Sequence, residues 1–302
     1  RDTCLFSLEK ALEVTERCEK KTLYRAEVYH QLGYAEMQFG KLNRADSLLD
    51  IAKELFVEND WGKGVALVYL KKGSLSALRG LQEDEIRYQI LALEYFEDEA
   101  DHSNAYKPCI NLATIFTRLD QSHKAFLYIE KAEKHLKELE GYENNYGYLY
   151  FLNTKLVCYG DTLDKLSDKI LDVDVLNGVD TSFDYYLNQM VSLNENMLSL
   201  SQKLESSEFK YRAILMESKI KGYQNDHKGA IDVLKEDYDN IMAQDNVLIK
   251  FYTNFLVLII LNRYINQTLR NLLILTFSIF IFLIFSPFFR ILLHILLILL
   301  RF

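Results

Sequence analysis

Small side chains return along this chain at a fixed offset of 40 residues, and that recurrence limits its folding choices more than any other feature. Gly33, Gly73 and Ala113 are each followed twelve residues later by Ala45, Glu85 and Ala125, and seven residues beyond those by Ala52, Ala92 and Ala132. Eight of these nine positions are Gly or Ala. Two helices approach closely only where the side chains between them are short, so a periodic set of small residues marks a periodic set of helix crossings. Around them the apolar residues recur at helical intervals, Tyr29, Leu32 and Phe39 about Gly33, then Leu42, Leu48, Leu49, Ala52 and Leu55 on the next stretch. Each unit reads as helix, short turn, helix, and the expected fold class is all-α, a solenoid of stacked helix hairpins.

The pattern weakens in both directions. One further offset sets Asn153 and Gly160 opposite Gly33 and Gly40, but Lys165 and Asp172 then stand where small residues belong, so the fourth unit is degenerate. Leu8 and Ala11 read as the end of an earlier unit whose first helix precedes them. Residues 172–184, with Gly178, read as a loop and internal hinge. Residues 181–207 read as an additional helix with Leu187, Met190, Val191, Asn194, Met197, Leu198 and Leu204 near one face. Residues 209–239 resume the repeat weakly, with Ala230 and Leu234 in the corresponding places. Only Pro108 and Pro287 interrupt a chain rich in helix formers.

In order and spacing, Leu32-Gly33, Ala45, Leu49 and Ala52 resemble the tetratricopeptide repeat signature, and Leu112-Ala113, Ala125, Ile129 and Ala132 match it nearly as well. The unit around Gly73 departs from it at Glu85 and Gln89, and the usual closing proline is absent. The period of 40 rather than 34 is similar to the longer-helix form found in bacterial signalling proteins, including peptide-sensing regulators and membrane-bound regulators with a repeat-containing sensor half. The resemblance implies a concave groove lined by the first helix of each unit. By the 40-residue register this groove takes Glu27, His30, Tyr34 and Met37, then Leu67, Leu70 and Ser74, then Lys107, Thr114 and Arg118, and finally Tyr150 and Thr154. It also implies a protein or peptide as ligand. The chaperone-tail-binding subclass is not expected, because the sequence lacks the Gly-Asn pairing after Leu32 and a matching basic set.

The last part of the chain has a different character. Nineteen residues between Arg270 and Arg290 carry no charge and are dominated by Leu, Ile and Phe. At roughly 1.5 Å per residue a helix of this length spans about 28 Å, close to the hydrocarbon thickness of a bilayer. Residues 271–289 are therefore expected to form a single transmembrane helix. Residues 290–302 form an apolar tail, interrupted by His294, that extends the span, lies in the interface or is not native sequence. Residues 251–261 are apolar too, but Lys250 and Arg263 bracket them closely, which favours a capping helix over a second span. The expected organisation is repeats over 1–172, then the additional helix, the degenerate repeat and the capping helix over 173–262, then the span and the tail. Lys250, Arg263 and Arg270 precede the span and Arg290 and Arg301 follow it, nominally placing the repeats in the cytoplasm, whereas the resembled regulators carry them outside the inner membrane. The side stays open. A chain that begins at Arg1 without methionine is expected to be a fragment or a processed product.

Charge and motifs narrow the function. The first 245 residues carry 30 basic against 43 acidic side chains, a balance that disfavours a nucleic-acid partner. No GxSxG, HExxH, glycine-rich phosphate loop or calcium-loop aspartate series occurs, so no enzyme, catalytic residue, metal or cofactor is expected. The acids Glu83, Asp84 and Glu85 read as a solvated helix start that complements the dipole. Cys4, Cys18, Cys109 and Cys158 are far apart and read as small hydrophobes. The six histidines are dispersed along the sequence. The leading expectation is the sensor half of a membrane-anchored bacterial regulator that binds a protein or peptide. The alternative is a membrane-anchored scaffold or assembly factor, and self-association is left open.

Overall fold

Between residues 38 and 118 helices end at a near-constant interval of 20 residues, and the same local device ends them. The computed structural model describes residues 2–16, 22–167 and 183–243, which hold eleven α-helices and no strand. They are α1 (Asp2–Glu16), α2 (Thr22–Gln38), α3 (Leu42–Glu58), α4 (Gly62–Arg79), α5 (Gln82–Asp98), α6 (His102–Arg118), α7 (Ser122–Lys137), α8 (Tyr146–Ser167), α9 (Phe183–Lys203), α10 (Ser207–Tyr223) and α11 (His227–Ala243). A left-handed residue follows helices at Gly40, Asp60, Gly80, Ala100 and Asp120, and again at Glu205 and Asn225. At each, two backbone bonds close the helix end. In the first, Lys41 N–H donates to the Glu36 carbonyl at 2.9 Å and Gly40 N–H to that of Met37 at 3.0 Å; in the fourth, Asp101 N–H reaches Phe96 at 2.8 Å and Ala100 N–H reaches Glu97 at 3.1 Å. This double bond, the Schellman motif, satisfies carbonyls that the helix end leaves orphaned and turns the chain within two or three residues.

Such short turns fold α2 back on α3, α4 on α5 and α6 on α7 as antiparallel hairpins, whose starts repeat at residues 22, 62 and 102. Each hairpin then packs on the next through α3 with α4 and α5 with α6. Ala45, Ala52, Ala92, Ala113 and Ala132 have no exposed surface, as close crossing requires. Gly33 shows the tolerance directly: a Cβ there would lie 2.9 Å from Leu49 Cγ on the facing helix. Around these crossings Tyr29, Leu32, Leu48, Leu49, Phe56, Val68 and Leu75 form one core, covered on its open side by Leu5, Leu8 and Leu12 of α1. Ion pairs also join successive helices, with the ammonium groups largely covered. Lys72 of α4 lies 2.8 Å from Asp46 and 2.7 Å from Asp50 of α3, and Lys155 of α8 lies 2.7 Å from Glu133 of α7.

The 40-residue register does not carry into the fourth hairpin. The register sets Gly160 opposite Gly40, which lies in a turn, but Gly160 is buried inside α8. The connection after α7 is longer, passing through Gly141 and a short 3-10 turn at Tyr142–Asn144, so that α8 begins 44 residues after α6 instead of 40. The additional helix is α9, with Tyr186, Met190, Asn194 and Met197 buried.

The chain divides into two compact units, Arg1–Lys210 and Tyr211–Phe302. In the second, α11 packs Ala230 and Leu234 against Leu215, and Ser218 Oγ donates to the Ala230 carbonyl at 2.8 Å. The expected loop at 172–184 lies almost wholly outside the described residues, and the expected capping helix at 251–261, the span at 271–289 and the tail at 290–302 lie outside them entirely. Among the described residues no helix is long and apolar enough to cross a membrane.

Candidate functional site

The first helix of each of the three regular hairpins contributes to one open depression of about 270 Å³ in the first unit. Met37 and Gln38 come from α2, Ser74, Ala77 and Leu78 from α4, and Asn111 and Thr114 from α6, with Glu85 and Gln89 of α5 at the base. The walls mix apolar residues, Met37, Ala77 and Leu78, with the polar Gln38, Ser74, Asn111 and Thr114, and the base is polar.

That base is formed by the two residues at which the second unit leaves the repeat signature. Gln89 is 1% exposed; its Nε2 donates to the Leu70 carbonyl at 3.4 Å, and its Oε1 accepts from Asn111 Nδ2 at 3.1 Å. Glu85 is buried and accepts from Arg118 Nη2 at 2.5 Å. The expectation of a solvated acidic start at Glu83, Asp84 and Glu85 is therefore corrected for Glu85. Its position on α5 faces inward, where Ala45 and Ala125 sit in the neighbouring hairpins, and the Arg118 guanidinium supplies the countercharge that burial demands. The departures had been visible in the sequence as mismatches; what they form together was not.

One turn along the groove the character becomes basic. Lys71 of α4 lies over the Tyr34 ring of α2, with Nζ 3.8 Å from its centroid. Burial and then the nearby Lys107 ammonium hold the Lys71 amine below its ordinary range. Lys107 Nζ donates to Asn104 Oδ1 at 2.8 Å, and burial lowers its pKa as well. His30, 4% exposed, is held at about 4 by burial first and by Lys71 second, against a weaker pull from the Leu67 backbone, so it is neutral at pH 7. At the start of α6, Asp101 takes bonds from Lys63, Ser103 and Asn104; although burial opposes it, these hold the carboxyl at about 2.

The residues expected along the groove separate into three groups, with Tyr150 apart from them. Met37 and Thr114 line the depression, and Arg118 reaches its base through Glu85. Tyr34, Lys107 and Glu27 belong to the neighbouring stretch; Glu27 is half-buried, which raises its pKa. His30, Leu70 and Thr154 are buried in the packing, with His30 edge-on to Phe56 at 6.4 Å. Tyr150 is half exposed and meets Phe209 edge-on at 4.8 Å. Lys71, Gln89 and Asn111 had not been singled out as groove residues. Lys71 follows the named Leu70 by one residue, and the register that aligns Gln31, Lys71 and Asn111 would have found both it and Asn111.

Two histidines that are dispersed in sequence meet in space. His102 Nδ1 lies 2.9 Å from His135 Nδ1, and His135 Nε2 lies 3.3 Å from Glu97 Oε1. The arrangement that satisfies all three gives His135 an Nε2–H directed at Glu97 and lets His102 donate to the bare Nδ1. Burial chiefly, then His102 and Lys131, outweighs the raising effect of Glu97 and lowers the His135 pKa. Among the described residues no group of three or more histidine, cysteine, aspartate or glutamate side chains is arranged to hold a metal. Cys109 and Cys158 are free and buried, and burial pushes their thiols up to about 12 and about 11, far from nucleophilic use at neutral pH.

No protein-family model matches the chain, and no curated protein matches it.

Proposed function

We propose that residues 22–210 are a tetratricopeptide-like recognition domain whose groove across α2, α4 and α6 holds a segment of another protein. The observation that carries this reading is the depression at the second hairpin, where the apolar Met37, Ala77 and Leu78 stand beside the fixed polar groups of Gln89, Asn111 and the Glu85–Arg118 pair. Apolar walls with a few fixed polar groups suit a peptide, whose side chains fill the former and whose backbone amides meet the latter. The three hairpins held in register make the lining rigid, so a ligand need not order it on binding. On this reading the domain is the sensor or interaction part of a bacterial membrane-anchored regulator, tethered by residues 271–289.

The groove is tested by placing a photocrosslinking side chain at Thr114 or Ser74, and separately at Glu94 on α5, in the full chain inside cells. Crosslinks to a discrete protein from positions 114 and 74 but not 94 are expected; crosslinks only from 94 would move the interaction to the outer face. The tether is tested by carbonate extraction, since release of the intact chain into the soluble fraction would remove it.

A further inference from the structure

We propose that the segment bound in this groove is acidic, and that Lys71 together with Lys107 receives one of its side-chain carboxylates. This rests on the groove reading and adds the charge of the ligand.

The inference starts from an imbalance. The first 245 residues carry an excess of acids, and many lysines of the stack meet them: Lys63 lies 2.7 Å from Asp101, Lys131 lies 3.0 Å from Glu97, and Lys155 and Lys165 are likewise paired. Lys71 and Lys107, on neighbouring first helices of two hairpins, stand outside this pairing. Both are half-buried, yet among the described residues no carboxylate lies within ion-pairing distance of either. The groups that face Lys71 are the Tyr34 ring and the neutral His30 from α2 and the Lys107 ammonium from α6. An ammonium withdrawn from water toward another ammonium is unfavourable in the empty groove. A carboxylate placed between the two relieves both and gains charge-assisted hydrogen bonds. The Tyr34 ring lies against the Lys71 ammonium itself, which holds the cation in place beside the groove without neutralising it. Gln31 and Asn111 stand at the same register on α2 and α6 and supply amide donors beside the carboxylate.

The test uses the full chain in detergent micelles and a random dodecapeptide library displayed on phage. The peptides are fused through their C-termini, so only side-chain carboxylates are offered. Selection on the unaltered chain should enrich Asp and Glu, and the enriched peptides, made synthetically, should bind Lys71→Gln about tenfold or more weakly. Lys107→Gln should weaken them in the same direction, Lys71→Arg should restore most of the affinity, and added salt should weaken binding to the unaltered chain more than to Lys71→Gln. The melting temperature of Lys71→Gln should not fall, because the substitution removes an unpaired charge; a fall matching the loss of binding would make Lys71 structural and overturn the proposal. Peptides without acidic enrichment, or bound equally by Lys71→Gln, would also overturn it. If those peptides are lost on Thr114→Trp, which fills the open groove, the groove reading stands without its charge preference. Peptides indifferent to Thr114→Trp, or no selected peptides at all, would overturn both.

Discussion

Gln89 occupies the space that a side chain at position 73 would need: a Cβ built on Gly73 would lie 2.3 Å from Gln89 Nε2. In the preceding hairpin the same contact joins Gly33 and Leu49, where the helix opposite offers only a hydrocarbon. The second hairpin has kept the small residue and exchanged its partner for an amide, which bonds to Leu70 and Asn111 and floors the groove. The two positions should be energetically coupled.

A double-mutant cycle measures that coupling. Gly73→Ala alone gains roughly 1 kcal/mol of helix propensity but displaces a buried amide from its hydrogen bonds, which costs about 1–3 kcal/mol, so a net loss of stability is expected. In a Gln89→Ala background the obstruction is gone and the same change should stabilise. Chemical denaturation gives both values, and additive effects would contradict the coupling.

Ala100 tests the turns. It holds a φ of 49°, a region that disfavours an L side chain by roughly 1 kcal/mol, where Gly40 and Gly80 do the same work without a Cβ. Ala100→Gly should therefore raise stability by about 0.5–1 kcal/mol, and Gly80→Ala should lower it by a similar amount. Thermal melts of the pair decide this, with opposite signs expected.

His30 makes the fold sensitive to acid. Its folded pKa of about 4 lies below the ordinary value of 6.5, so the unfolded chain binds the proton more readily. The stability is present above pH 6.5 and is lost as pH falls from there toward 4, by as much as roughly 1.4 kcal/mol per pH unit within that window. His135, also lowered by burial, acts in the same direction. In His30→Leu the slope of unfolding free energy against pH between 6.5 and 4 should drop by close to one proton; an unchanged slope would show that His30 is not the group responsible.

Ala132 has no exposed surface at the crossing within the third hairpin. Ala132→Trp should overpack it by about 1–3 kcal/mol, and calorimetry should show a lower melting temperature. Leu127→Trp, at a position 46% exposed on the same helix, should leave the midpoint nearly unmoved.

The helices and the first three hairpins were legible in the sequence because their causes are local or strictly periodic. Apolar residues at helical spacing decide which face of α3 is buried, and the small residues at an offset of 40 mark crossings that the repetition itself imposes. The same reasoning failed at Gly160, because register is carried only while every connection has the same length, and the longer passage through Gly141 shifted α8 by four residues. Nor could it assign Glu85, Gln89 and Lys71. Each was readable as a mismatch or a surface charge until the helices 19 to 37 residues away were set against it. His102 and His135, 33 residues apart in sequence, share a hydrogen bond for the same reason. Secondary structure and repeat follow from what each residue's near neighbours are, whereas burial of a charge and the identity of its partner depend on the helix opposite, and only the packed stack decides that.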